Sequence, residues 1–323
     1  MTFRFLGYKF GRLIASLFFI FLLNFMLPRL MPGSPVFTLL GPDVIGLSQK
    51  DYQTLEQELG LDRSIWRQLA SHLRSVMNGD LGYSYYYHRP VSSVVFQHVK
   101  PTLLLLLPSV VLSSIMAAFL GAVSGWRPGS KWDLIMTPAF LLIYALPLFL
   151  VAMVALEIFS FRLNLFPLGG LHSAVQGGGV WGSLADRAHH LALPLAVLSF
   201  SSTAIKYLVM RNSVAEDRFK DYVTYARVKG LKERRILFVH IFRNASLPLL
   251  SLVGLHFAFL LSGSLLVEIV FSINGMGSLI YEAAMNRDYP ILQGCFLLLT
   301  AVVLLVNTLV DSLYEILDPR VRK

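Results

Sequence analysis

The chain has 323 residues, 55% of them apolar and only 15% charged, with a mean hydropathy of +0.62, which excludes a soluble globular domain and points to a membrane protein. Its net charge of +9 comes without a basic block away from membrane-flanking positions, which argues against a nucleic-acid partner. A single cysteine, Cys295, excludes a disulfide framework.

A helix needs about 20 apolar residues to cross a bilayer core with its backbone polar groups satisfied internally. In chain order, six runs qualify: 11–28, 102–124, 134–159, 191–210, 245–271 and 291–314. The expected class is therefore all-α, a polytopic membrane protein with six transmembrane helices. The first run follows Arg4, Lys9 and Arg12 as a signal peptide would, but Leu27-Pro28-Arg29-Leu30-Met31-Pro32 offers no small-residue cleavage site, so it reads as an uncleaved span.

Basic residues near span ends favour the cytoplasmic side. Arg4, Lys9 and Arg12 put the N-terminus there, and Arg320, Arg322 and Lys323 put the C-terminus there too. The Arg127 to Lys131 turn and the stretch 211–246 are then cytoplasmic, and 272–290, with Arg287 as its one basic residue, is extracytoplasmic. The organisation expected is a tail and first span (1–30), an extracytoplasmic helical region (31–101), a core of five spans (102–316) and a cytoplasmic tail (317–323). In the region 31–101, Ser48 stands as a cap, and Leu55, Leu59, Ile65, Leu69, Leu73 and Val76 recur at helical spacing, with a break at Gly60. That pattern suits both a lid on the membrane surface and a docking surface for an external partner.

Between the fourth and fifth runs lies DYVTYARVKGLKERR, residues 221–235, where seven of fifteen residues are charged. A helix from Asp221 to Lys229 is expected, closed by the left-handed Gly230 and followed by a second short helix from Leu231. Tyr222, Tyr225, Ala226 and Lys229 fall on one face, a surface for another protein's groove. Nine Lys/Arg against four Asp/Glu over 211–243 would also hold the segment at an anionic inner leaflet, with membrane lipids as the only partner.

The residue pattern decides between these readings. Ala226 four before Gly230, with Leu247-Pro248 downstream, resembles the cytoplasmic EAA motif of ABC importer permeases. Asp221-Tyr222, Ala226-Arg227, Lys229-Gly230-Leu231, His240 and Arg243-Asn244-Ala245 are similar to the peptide and nickel branch of that family, with Thr224-Tyr225 where many permeases have an acidic residue and alanine. The resemblance continues in Pro32-Gly33-Ser34-Pro35, Leu59-Gly60-Leu61-Asp62, Gly79-Asp80-Leu81-Gly82, Arg89-Pro90-Val91, Pro101-Thr102-Leu103, Gly275-Met276-Gly277, Arg287-Asp288-Tyr289-Pro290, Asn307 and Asp318-Pro319-Arg320, with Asn274 where the family usually has proline. Glu282-Ala283-Ala284 is a literal EAA without the following glycine and reads as a loop helix.

The resemblance implies the ABC type I importer permease fold in the bacterial inner membrane. It also implies a second homologous permease, two cytoplasmic ATP-binding subunits and an extracytoplasmic substrate-binding protein. Asp221, Tyr222, Tyr225, Ala226, Gly230, Leu231 and Arg234 would then couple to the ATPase. The chain has no G-x-x-x-x-G-K-[ST] loop, so no cofactor is expected on it, and ATP and Mg would sit on the partner subunits. The cargo implied is a di- or oligopeptide, or nickel as a chelate.

Polar residues within spans mark the candidate pathway, because they are costly facing lipid. Tyr144, Ser202, His256, Ser264 and Asn307 are the candidates, with His256 read as the one ionisable group deep in a span. A lone histidine is no metal site, and His189-His190 before Leu193-Pro194 resembles the family's entrance to the fourth span, so no metal site is expected. The alternative is an ion-coupled secondary transporter, which would show carboxylates within spans and inverted repeats. Glu157, Glu268 and Asp311 stand near span ends, and no repeat is found. An intramembrane enzyme would need a nucleophile with its base, or a metal motif, at helical spacing within the bilayer. None is present, so no catalytic residue is assigned.

Overall fold

The structure, a computed structural model, describes residues 3–30, 51, 54, 62–84, 86–173 and 179–317. The expected cap at Ser48, the break at Gly60 and the motifs at 32–35 and 318–320 lie outside the described residues. What is described is almost wholly helical. The helices are α1 (Phe3–Leu30), α2 (Ile65–Met77), α3 (Val91–Trp126), α4 (Lys131–Ala145), α5 (Leu148–Ala155), α6 (Gly179–Asp217), α7 (Asp221–Val228), α8 (Glu233–Arg235), α9 (Phe242–Val270), α10 (Met276–Met285) and α11 (Tyr289–Leu317). Wider, π-type turns extend α5 through Leu156–Arg162 and join α8 to α9 through Ile236–Ile241. A two-residue antiparallel ladder pairs Tyr83 with Pro90 and Ser84 with Arg89.

Four helical stretches are long and apolar enough to cross a membrane: Val91–Trp126, Gly179–Asp217, Glu233–Leu261 and Tyr289–Ser312. In α1 the apolar part is the shorter Leu13–Met26. The run expected as the third span, 134–159, is broken, with Lys131–Ala145 and Leu148–Arg162 meeting at 103°. Pro147 causes the break: its ring disfavours helical backbone in the residue before it, and Leu146 accordingly sits extended at φ −85°, ψ 133°. Other prolines, Pro101, Pro108, Pro138, Pro194 and Pro248, lie inside helices that continue through them.

Contacts divide the chain into two compact units. The first comprises Met1–Lys100 with Ser278–Leu304. There, Asn24 and Gln293 exchange side-chain amide bonds with each other's backbone carbonyls at 2.7 and 2.9 Å, tying α1 to α11. Helix α2 is held to α1 by Arg29, which donates to Gln68 Oε1, and by His72, which stacks on Phe21. Ser84 donates to Asp288, and Tyr87 donates to Glu282 of α10. The literal Glu-Ala-Ala of α10 thus takes part in a local tie.

The second unit comprises Pro101–Gly277 with Leu305–Lys323. Its core gathers Ala117, Phe140, Tyr207, Met210, Val223, Ile236 and Leu249 around α6, against which α4, α5 and α9 pack. Two glycines let α3 and α6 approach closely. A Cβ on Gly121 would lie 2.8 Å from Tyr207 O, and one on Gly125 would lie 2.3 Å from Arg211 O. At the start of α4, Arg211 of α6 binds Asp133 through Nε and Nη2, both at 2.7 Å, while Gly129 N and Thr137 Oγ1 complete the carboxylate's bonds. At the far end of α9, buried Glu268 accepts from Thr102 Oγ1 at 2.7 Å and from Gly277 N at 2.8 Å, and Met276 N donates to Thr102 Oγ1. Gly275 and Gly277 leave room for this carboxylate, whose Oε2 would lie 2.4 Å from a Cβ on Gly275. The Gly-Met-Gly motif therefore has a packing reason.

Candidate functional site

Helix α7 begins at Asp221, after Lys220 in extended backbone, and ends in a complete Schellman closure. Gly230 has φ +73° and donates to Arg227 O at 2.9 Å, while Leu231 N donates to Ala226 O at 3.2 Å. Only glycine takes this conformation without strain, so the bend expected from sequence is present. Leu231 is half-buried and packs on the core beside Ala226.

The face assigned to α7 from its spacing divides. Val223, fully buried, and Ala226, 6% exposed, turn inward onto the chain's own core, and Tyr222 joins them half-buried. Tyr225 is 68% exposed, with Val228 and Phe219 also outside. The reason is the core cluster of Met210, Val214, Ile236 and Leu237, which lies on one side of α7 and takes the inward residues. Asp221, Lys229 and Arg234 are exposed. Asp217, buried at the end of α6, anchors the arrangement: it accepts from Tyr222 OH at 3.0 Å and forms an ion pair with Lys220. Burial, aided by Asp217, pushes the Tyr222 phenol up to about 12. Arg227 lies over the Trp126 ring and donates to Glu233.

The second group is intramembrane. Of the pathway candidates, Ser202 is buried on α6, His256 is half-buried on α9, and half-buried Asn307 brings Oδ1 against Gly254, where a Cβ would lie only 2.7 Å from it. Ser264 donates to Leu261 O within its own helix, and Tyr144 is 59% exposed near the end of α4.

One residue was missed by the sequence reading, which took His256 as the one ionisable group deep in a span. Lys206 lies in the fourth run, fully buried, with Nζ donating to Ser113 Oγ at 2.7 Å and Ser114 Oγ at 3.2 Å. A lysine four residues from the end of a run ordinarily reaches for the interface, and the packing of α3 on α6 prevents that here. The available signal was a charge inside a run otherwise free of them.

The profile of the family described as binding-protein-dependent transport system inner membrane component matches residues 109–323. The chain is 32% identical to the dipeptide transport system permease protein of Escherichia coli over 336 residues, covering 99% of this chain and 98% of that one. It is 32% identical to the oligopeptide transport system permease protein of Bacillus subtilis over 309 residues, covering 95% and 96%. A di/tripeptide transport system permease protein of Pseudomonas aeruginosa is also 32% identical over 332 residues, covering 98% of each.

Proposed function

Because this chain belongs to the family of binding-protein-dependent transport system inner membrane components, we propose that it is the permease subunit of an ATP-driven importer whose cargo is di- or oligopeptides. The permease class follows from family membership, and the chain is a transport subunit of the inner membrane and no enzyme. Peptides stand ahead of nickel chelates because relatives matched end to end carry peptide names.

In this reading the N- and C-termini and the segment 211–246 are cytoplasmic. The ATP-binding subunits, which carry ATP and Mg, dock on α7, and a second permease and an extracytoplasmic binding protein complete the assembly. The observation that carries the coupling role is α7 itself. It is anchored from behind by Val223, Ala226 and the Asp217–Tyr222 bond, and it leaves Phe219, Tyr225 and Val228 uncovered. A rigidly backed helix with an apolar outer face can transmit a push from a docked partner to α6 and α9, the helices on either side of it. Gly230, Leu231, Asp221 and Arg234 shape and flank that surface, and Ala226 and Tyr222 hold it from within.

The test separates the two faces. Tyr225→Ala with Val228→Asp changes only exposed side chains, so the variant is expected to insert and fold while losing co-purification with the ATP-binding subunits and losing dipeptide uptake in membrane vesicles. Retained uptake and retained ATPase subunits in that variant would reject the docking role.

A further inference from the structure

Lys206 poses a charge problem that the coupling role does not address. An ammonium in a low-dielectric interior is unfavourable unless an anion or a full set of strong acceptors holds it. Its two bonds go to the hydroxyls of Ser113 and Ser114, which supply dipoles and no negative charge, and among the described residues no carboxylate pairs with it. The chain does supply a carboxylate where a charge is to be matched permanently, since Arg211, five residues on, is held by Asp133 through two 2.7 Å bonds. Lys206 is left different.

A second, independent observation comes from the same helix. The hydroxyls of Ser199 and Ser201 are buried with no hydrogen-bond partner, a rare condition for buried polar atoms. Ser199 stands seven residues before Lys206, two turns along the same face. The same face of α6 thus carries an unmatched ammonium and, about 10 Å along the axis, a buried hydroxyl without a partner.

We propose that Lys206, with the hydroxyls of Ser113 and Ser114, forms an intramembrane site for a carboxylate, filled by the C-terminal carboxylate of the peptide in transit. The proposal rests on the peptide reading above. A transient anion fits better than a fixed one because, among the described residues, this chain supplies no carboxylate to the buried Lys206. Cargo meets it when α3 and α6 part, and the neutral bonds to Ser113 and Ser114 are ones a carboxylate can replace, since hydrogen bonds between ionised groups are the stronger kind.

The test compares trialanine with trialanine amide, which lacks the carboxylate, in vesicles holding the assembled transporter and its binding protein. Each variant-to-wild-type ratio is taken for one peptide, so selection by the unchanged binding protein cancels. Lys206→Met is expected to slow uptake of trialanine at least about tenfold, the loss of one charge-assisted hydrogen bond, and to leave uptake of the amide as it was; Lys206→Arg is expected to keep most of both. Equal losses for the two peptides would overturn the site and assign the charge to packing or to a partner's carboxylate, and no loss for either would overturn it as well. A wild-type complex that moves neither peptide would overturn the peptide reading and the site together, whereas failure confined to the variant comparison overturns the site alone. Should Lys206→Met fail to assemble, the melting temperature of the wild-type complex decides: millimolar trialanine is expected to raise it more than the amide does, and identical shifts would overturn the proposal.

Discussion

Substitution at Gly230 tests whether the bend after α7 is what keeps the face proposed for docking in place. Gly230 sits at φ +73°, and nothing lies within 4 Å of a Cβ built there, so Gly230→Ala meets backbone strain alone. That strain is about 1–2 kcal/mol, whereas Gly230→Asn costs less because asparagine tolerates the left-handed region. Gly230→Pro fixes φ near −65° and removes the N–H that donates to Arg227 O. It therefore forfeits one hydrogen bond of about 0.5–1.5 kcal/mol and, by turning the chain, the Leu231 to Ala226 bond as well. Together these bring the cost to about 3 kcal/mol or more, comparable to proline in a helix interior. The expected order of uptake is Gly ≈ Asn > Ala > Pro, with the proline variant inserted in the membrane but unable to couple. Dipeptide uptake divided by ATP turnover, measured on the same vesicle preparation, reads coupling directly. A proline variant that matches wild type, or an asparagine variant as poor as proline, would refute the role given to this bend.

Three further outcomes follow from the same geometry. Gly125→Ala places a methyl 2.3 Å from Arg211 O, a backbone atom that cannot swing aside, so it should destabilise by about 1–3 kcal/mol, as overpacking does, read as a lower melting temperature of the purified complex; an unchanged melting temperature would mean α3 and α6 are not held this close. Arg211→Met leaves buried Asp133 with only neutral partners and should cost about 2–4 kcal/mol, short of the full buried-pair penalty because Arg211 is partly exposed, while adding Asp133→Leu should restore most of it; a double variant no better than the single would show that the pair is not the cause. The Tyr222 phenol is raised above its ordinary value of 10 to about 12, so its contribution to anchoring α7 is complete below pH 10 and is lost as the pH rises through 12; Tyr222→Phe should abolish that alkaline phase in a fluorescence melt, and its persistence would assign the phase to another group.

The bend after α7 was legible because its cause is local. One glycine between a helical pattern and a restart, with Leu231 behind it, specifies a Schellman closure whatever surrounds it. The helical runs were legible for a similar reason, since a bilayer admits backbone only when its polar groups are satisfied within the segment. The break at Leu146-Pro147 was available too, in the residue before a proline, although the continuous hydropathy of 134–159 concealed it. The roles of Gly121, Gly125, Gly275 and Gly277 were not available, because each is defined by an atom of another segment that a side chain would strike.

Which way α7 faces was beyond the pattern as well. Tyr222, Val223, Tyr225 and Ala226 offer two apolar faces on one short helix, and only the cluster of Met210, Val214, Ile236 and Leu237 decided that Val223 and Ala226 go inward and Tyr225 outward. Lys206 shows the same limit from the electrostatic side. The sequence by itself determined the helices, their likeness to a permease and the turn chemistry, because propensity, hydropathy and left-handed backbone are properties of neighbouring residues. The tertiary structure alone decided which charges are matched and which polar groups lie buried without a partner, because burial and pairing depend on groups far apart in the chain: Asp133 and Arg211 meet across 78 residues, Ser113 and Lys206 across 93.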